Sequence, residues 1–197
     1  MNNKIKIIFV NHASYVVSYK DIYLLVDPWI TGKIFNNGWS SISPSYFPNK
    51  LINKITHIWY SHEHPDHFSP NDLKKIKENN SNTPKILFQN TKDKRVKKYC
   101  EKIGFEVIEL NSWEKFNLSK NFSMTIISHG RIDSISIVEI EDCKIINTND
   151  CVLSNQNLKE ISKKFIKFDV LFSQFSYAWW MGTLKEKHKR EQGSNEV

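Results

Sequence analysis

A chain of 197 residues, 40% apolar and 25% charged, is long enough for one packed domain and too apolar for a disordered one. Lys and Arg outnumber Asp and Glu by 28 to 21, a net charge of +7, yet the arginines are only Arg95, Arg131 and Arg190. Base-reading proteins rely on arginine forks, so no nucleic-acid partner is expected, and the charge reads as solvated surface compatible with an anionic small-molecule substrate. No run reaches the roughly 20 apolar residues of a membrane span, and the first residues lack a small-residue cleavage site. Cys100, Cys143 and Cys151 show no paired spacing, which suits a reducing cytoplasm rather than a disulfide framework.

Lys4 to Val10 is rich in Ile and Val and reads as a strand. Tyr15–Tyr19 and Ile22–Val26 follow as a hairpin joined by Lys20-Asp21, and Asp27-Pro28 ends the third strand. From Thr31 to Asn53 the sequence has no period and reads as a long loop, a feature that in compact domains is often functional. Ile55–Tyr60 is a buried strand. A helix then starts at Ser69 as N-cap, with Pro70 in the first turn and Asp72 in the capping-box position. Thr91 is read as the cap of a second helix running through Cys100 and closed by Gly104. Strands are expected at Phe105–Leu110, Ser123–Ser128, Ser134–Ile140, Lys144–Asn147 and Asp169–Phe172, with a helix over Asn155–Phe168. The mixture places the chain in the α/β or α+β class. Residues 1–182 are expected to form the domain, and the charged stretch 183–197 a disordered tail.

Three of the seven histidines lie within six residues, as His62-Glu-His64-Pro-Asp66-His67, directly after the buried strand Ile55–Tyr60. Crowded imidazoles and carboxylates repel or need a common partner, and a divalent metal is the partner that accepts both ligand types. His62 and His64, two apart, can point the same way from extended backbone, whereas Asp66 and His67 lie past the turn at Pro65 and can face a second position. One loop can thus supply two neighbouring metals.

His62-x-His64-x-Asp66-His67 after a hydrophobic strand resembles the signature of the metallo-β-lactamase fold superfamily. The resemblance extends downstream to His129, which follows Met124-Thr-Ile-Ile-Ser, and to Asp150, at the end of Lys144-Ile-Ile-Asn-Thr-Asn. It implies an αββα sandwich, with His62, His64 and His129 on one metal, Asp66 and His67 on the other, and Asp150 between them. It also implies one or two divalent ions per chain, zinc first and iron or manganese as alternatives. Asn11-His12-Ala13-Ser14 with Leu25-Val26-Asp27-Pro28-Trp29 is similar to the N-terminal hairpin of the ascorbate-6-phosphate lactonase-like branch, which includes the N-acyl-phosphatidylethanolamine phospholipase D group. Phe35-Asn-Asn-Gly38-Trp39, Asn149-Asp150-Cys151 and Gln174-Phe-Ser-Tyr-Ala178 are closer to CMP-N-acetylneuraminate hydroxylase-like proteins. The chain has no Cys-x-His pair to hold those proteins' Rieske cluster.

The resemblance implies a metal-dependent hydrolase in which an activated hydroxide attacks an ester, lactone, amide or phosphodiester. Asp66 and Asp150 would orient the hydroxide and move a proton, and His12 would bind or polarise substrate. Asp27 either orients a ligand histidine or is a strand-end turn residue. Arg131 either holds an anionic group or is plain surface. Domains of this kind usually run further and supply another histidine, for which His188 is the one candidate, so a C-terminally truncated sandwich is expected. The competing reading is therefore a partial metal-binding domain with little turnover, or a fragment of a larger nucleotide-sugar-modifying protein. A homo-oligomer is compatible with both.

Overall fold

The computed structural model describes residues 4–174. The stretch 183–197, His188 and the aromatic run from Phe175 to Trp180 lie outside the described residues. Four layers are present. The first sheet has six strands in the order β1-β2-β3-β6-β7-β8. Here β1 is Lys6–Asn11, β2 Ser14–Tyr19, β3 Ile22–Val26, β6 His57–Trp59, β7 Lys85–Gln89 and β8 Val107–Leu110. β1, β2 and β3 form an antiparallel meander; β3, β6, β7 and β8 run parallel. The second sheet is β13-β12-β11-β10-β9. It comprises β9 Lys115–Ser119, β10 Phe122–His129, β11 Asp133–Ile140, β12 Cys143–Asn149 and β13 Val170–Ser173.

Side-chain alternation explains why the sheets face each other. In β2, Tyr15, Val17 and Tyr19 join Trp59, Leu87, Phe122, Met124, Ile126 and Ile145 between the sheets. Val16, Leu25, Ile58 and Ile86 point the other way, under α2 (Pro70–Asn79) and α3 (Arg95–Lys102). On the far side, Ile127, Ile135, Ile137 and Ile146 pack with Ile161 of α4 (Asn155–Lys164). The layers are therefore helix, sheet, sheet, helix, the αββα sandwich expected from the resemblance.

Local signals hold at the start of α2 and the end of α3. Ser69 caps α2 by accepting from the Asp72 amide at 3.3 Å, with Pro70 in the first turn. α3 stops in a Schellman motif: Gly104 N–H donates to Glu101 O at 2.9 Å, and Phe105 N–H to Cys100 O at 3.0 Å, with Gly104 at φ +85°. Ser154 caps α4 reciprocally with Asn157. Three expectations shift. α3 begins at Arg95 after Lys94 in left-handed geometry, so Thr91 is not its cap. α4 ends at Lys164, four residues before Phe168. The supposedly aperiodic stretch 31–53 contains the two-residue strands β4 (Lys33–Ile34) and β5 (Trp39–Ser40) and a single turn of helix, α1 (Asn49–Ile52). β7 and β9 carried no expectation at all. Asp72 has a second task, because its buried carboxylate accepts from Ile30 N–H (2.8 Å), Thr31 N–H (3.1 Å) and the Thr31 hydroxyl (2.7 Å). That contact ties the strand-end loop to α2, beside the histidine motif. Among the described residues, no helix is long and apolar enough to cross a membrane.

Candidate metal centre

The motif leaves β6 at Tyr60 and turns back at Pro65. His64 O accepts from both His67 N–H (3.0 Å) and Phe68 N–H (2.7 Å), which closes the turn and presents Asp66 and His67 on its far side. The loop is braced from two directions. Ser61 N–H donates to Asp27 Oδ1 at 2.7 Å, from the end of β3. Ser134 of β11 donates its hydroxyl to Ser61 O at 2.6 Å, and Asn149 of β12 donates to Ser134 O at 3.1 Å. Both sheets thus hold one loop in place.

Two groups of ligand-type atoms result. His12, Asp66 and His67 form one; His62, His64 and Asp150 form the other, with the donor atoms of each group within 4.8 Å of one another. In the first, His12 Nε2 lies 3.2 Å from Asp66 Oδ2, which lies 3.5 Å from His67 Nε2. In the second, His62 Nε2 and His64 Nδ1 are 2.9 Å apart. Asp150 Oδ2 sits 3.9 Å from His62 Nε2 and 3.4 Å from His67 Nε2, between the groups. His12 is held at φ +40° in the β1–β2 turn, its ring edge-on to Trp29 at 5.5 Å. His12 therefore stands among the ligand-type atoms, where sequence reading assigned it to substrate. His129 does not join either group. It ends β10 opposite Asp133, half-buried.

Asp27 and Asp133 complete the surroundings. Asp27 Oδ2 lies 3.0 Å from His67 Nδ1, which fixes the ring and turns Nε2 towards Asp66 and Asp150. Of the two readings of Asp27, the geometry is that of the orienting carboxylate. Asp133 Oδ1 lies 3.7 Å from His62 Nδ1, and the Ser61 hydroxyl lies 2.9 Å from the same atom. Neither Asp133 nor Ser61 stood out in the sequence. Both meet His62 through tertiary contact rather than motif spacing.

The charges follow from this packing. Burial works against the charged form of His67, but Asp27 and Asp150 outweigh it and hold the imidazolium up to about 10. His62 moves the other way: burial and the neighbouring His67 charge lower it despite Asp27, Asp150 and Asp133. Burial opposes ionisation of Asp66 and Asp150 as well. His12 and His67 overcome it for Asp66, and His67 and His62 for Asp150, so both carboxyls lie below their ordinary value. Burial pushes the Cys151 thiol up to about 12, which keeps it protonated near neutrality.

His67 Nε2 is buried and has no hydrogen-bond partner among the described residues. An imidazole nitrogen that faces two carboxylates at 3.4–3.5 Å without a hydrogen bond to either, with its other nitrogen fixed by Asp27, is an arrangement that fits a metal ligand. The donor set of imidazole and carboxylate suits divalent zinc, iron or manganese. A helix–sheet–sheet–helix sandwich with paired His and Asp donors on loops between its sheets defines a class of metalloproteins.

Sequence comparison identifies which class. Residues 6–148 match the family model of the beta-lactamase superfamily domain, and the chain belongs to that superfamily, with the metallo-β-lactamase fold. It is 26% identical over 144 residues to the cytidine monophosphate-N-acetylneuraminic acid hydroxylase of Xenopus laevis, an alignment that covers 69% of this chain and 24% of the relative. The chain therefore spans about a quarter of the length of the curated relatives it matches. Among solved structures, it is similar to a possible metal-dependent hydrolase from Veillonella parvula, with TM-score 0.70, 16% identity, and coverage of 97% of this chain and 82% of that one. It is also similar to CmlA, a diiron β-hydroxylase from Streptomyces venezuelae, with TM-score 0.70, 14% identity, and coverage of 97% and 40%. At those identities the structural likeness speaks for the fold alone.

Proposed function

We propose that the chain is a metal-dependent hydrolase of small, anionic ester, lactone, amide or phosphodiester substrates, working in the cytoplasm. The observation that carries this reading is the pairing of two groups of ligand-type atoms around Asp150, with His67 Nε2 buried between two carboxylates and hydrogen-bonded to neither. His62, His64 and Asp150 would hold one ion, and His12, Asp66 and His67 the other, with Asp150 within reach of both. Zinc is the first candidate. His129 lies outside both groups. When bound, such ions supply Lewis acidity, lowering the pKa of water and drawing charge from a developing oxyanion. The protein contributes the rest. Asp27 holds His67 in one tautomer and orientation. Pro65 limits the freedom of the loop before a ligand binds. Asp66 and Asp150 are held below the ordinary carboxylate value by the neighbouring histidines, so both face the site as carboxylates.

Elemental analysis of the purified chain beside an Asp66→Ala/His67→Ala double variant tests the reading. Close to two metal equivalents in the parent and about one in the variant, with hydrolysis of an activated ester lost on chelation, is the expected result. No metal in a folded parent would sink it. The match to about a quarter of the hydroxylase relatives supports a second reading, in which the chain is the metal-holding part of a larger oxidative or nucleotide-sugar-modifying assembly. Iron retained in preference to zinc, with no hydrolysis, favours that alternative.

A further inference from the structure

A cavity of about 350 Å³ opens beside the histidine loop. Its walls come from three places: Glu63 of the motif, the run from Phe88 to Asp93 after β7, and Ser128, Arg131 and Ile132 of the β10–β11 turn. It adjoins the candidate metal centre through the chain itself. Glu63 stands between His62 and His64, and Ile132 precedes Asp133, whose carboxylate lies 3.7 Å from His62 Nδ1. The Gln89 carboxamide donates to Ile132 O and joins two of the walls.

The electrostatics of this cleft lean positive by one charge once Arg95 is counted. It has two acidic residues, Glu63 and Asp93, and both are already engaged by Arg95. The Arg95 guanidinium lies 2.6 Å from Glu63 Oε1 and 2.7 Å from Asp93 Oδ2. The two cations of the lining, Lys92 and Arg131, have no carboxylate partner among the described residues. Two half-buried cations nearby, Lys94 and Lys97, are paired with Glu109. Arg95 is shared between the two carboxylates, so with Lys92 and Arg131 three cations face two anions, around a cavity that also offers the hydroxyls of Thr91 and Ser128. Phe88 and Ile132 give it an apolar side. Volume, an apolar wall and a few convergent polar groups are the ordinary make-up of a small-molecule site.

We propose that this cleft is a phosphate subsite, in which Arg131 and Lys92 bind a phosphate group of the substrate and thereby place its reactive bond over the metal centre. Two unpaired cations match a phosphomonoester dianion, and the guanidinium fork adds bidentate geometry that a point charge lacks. This deepens the hydrolase reading and rests on it for the second half of the claim; the phosphate site itself stands on the cleft alone. The reading of Arg131 as plain surface then gives way to that of an anion-holding residue.

The test is a titration of the full chain with inorganic phosphate at low ionic strength, followed by phosphorus NMR, in chelator-treated and in zinc-loaded protein. Saturable binding is expected in both. Arg131→Gln and Lys92→Gln are each expected to weaken it roughly tenfold, as the loss of a charge-assisted contact predicts. Lys74→Gln, on the exposed face of α2, is the charge-matched control and should leave binding unchanged, and none of the three should alter metal content. Binding only in zinc-loaded protein would put the anion on the metal and overturn the proposal. Equal weakening by Lys74→Gln would reduce it to diffuse surface charge, and acetate binding as tightly as phosphate would overturn the phosphate assignment. Failure of the hydrolase reading looks different: the phosphate site persists in protein that holds no metal or turns over no ester.

Discussion

Asp27 shows how much one residue decides here, and how little of that is local. It ends β3 in left-handed backbone at φ +41°, with its amide donating to Trp59 O at 3.0 Å. That conformation aims one carboxylate oxygen at Ser61 N–H and the other at His67 Nδ1. Asp27→Asn keeps an acceptor for Ser61 but removes the negative charge that orients and polarises His67. We expect the affinity of the His67 group for zinc to fall about 10- to 100-fold, measured by competition with a chromophoric chelator, while the fold survives by circular dichroism. The sequence could not choose between the two readings of Asp27, because its partner lies forty residues away. The candidate ligands within His62–His67 were legible for the opposite reason: all sit in one six-residue loop. His12 was singled out, but its place beside Asp66 depends on a β1–β2 turn bringing it across 54 residues. His129 fits the sequence pattern of the family, yet its place at the β10 end keeps it apart from both groups.

Strand β6 carries the motif, and the same strand carries a titration of its own. His57, at its start, pairs in register with Lys85 of β7 and shares a 2.9 Å contact with Thr56 Oγ1. Burial, and then the Lys85 charge, lower its pKa to about 4 against the opposing pull of Glu106. The unfolded chain takes up a proton near the ordinary value of about 6.5, whereas the folded chain does not until about 4. Between those values the unfolded state binds more protons, so stability falls as pH drops through the window and is unaffected above it. Urea midpoints at pH 7 and pH 5, taken in chelator, should therefore differ less in His57→Asn than in the parent; an equal difference would remove His57 as the cause. β7 shows why some elements escape the sequence. Ile86-Leu87-Phe88 is three residues of apolar run, buried on both faces as a parallel strand must be. So short a run shows neither alternation nor helical spacing. β9 fails differently: it is a half-exposed edge strand in which Phe116 and Leu118 alone alternate. The start of α2 and the end of α3 were legible because Ser69, Pro70 and Gly104 act through backbone geometry that needs no distant partner, whereas the start of α3 and the end of α4 were not.

At the scale of the whole molecule, the candidate centre lies where the two sheets meet. His62, His64, Asp66 and His67 belong to the loop after β6, in the first sheet, and His12 to the β1–β2 turn of the same sheet. Asp150 follows β12 of the second sheet. Without an ion the loop is joined to the second sheet by the Ser61–Ser134–Asn149 chain of hydrogen bonds and by side-chain contacts of Asp150 and Asp133 with the histidines. An ion held through Asp150 would fasten one sheet to the other and stabilise only the folded chain. At a thousandfold excess over its dissociation constant such a ligand adds about 4 kcal/mol. For a domain of this size, that corresponds to a rise in Tm of roughly 8–16 °C. Differential scanning calorimetry with zinc and with chelator should show that gap in the parent. Asp150→Ala should narrow it to what the His12, Asp66 and His67 group alone confers, because the surviving ligands all lie in one sheet. A gap that persists in full after Asp150→Ala would mean that the ion does not bridge the sheets, and that the stabilisation comes from ordering the histidine loop by itself.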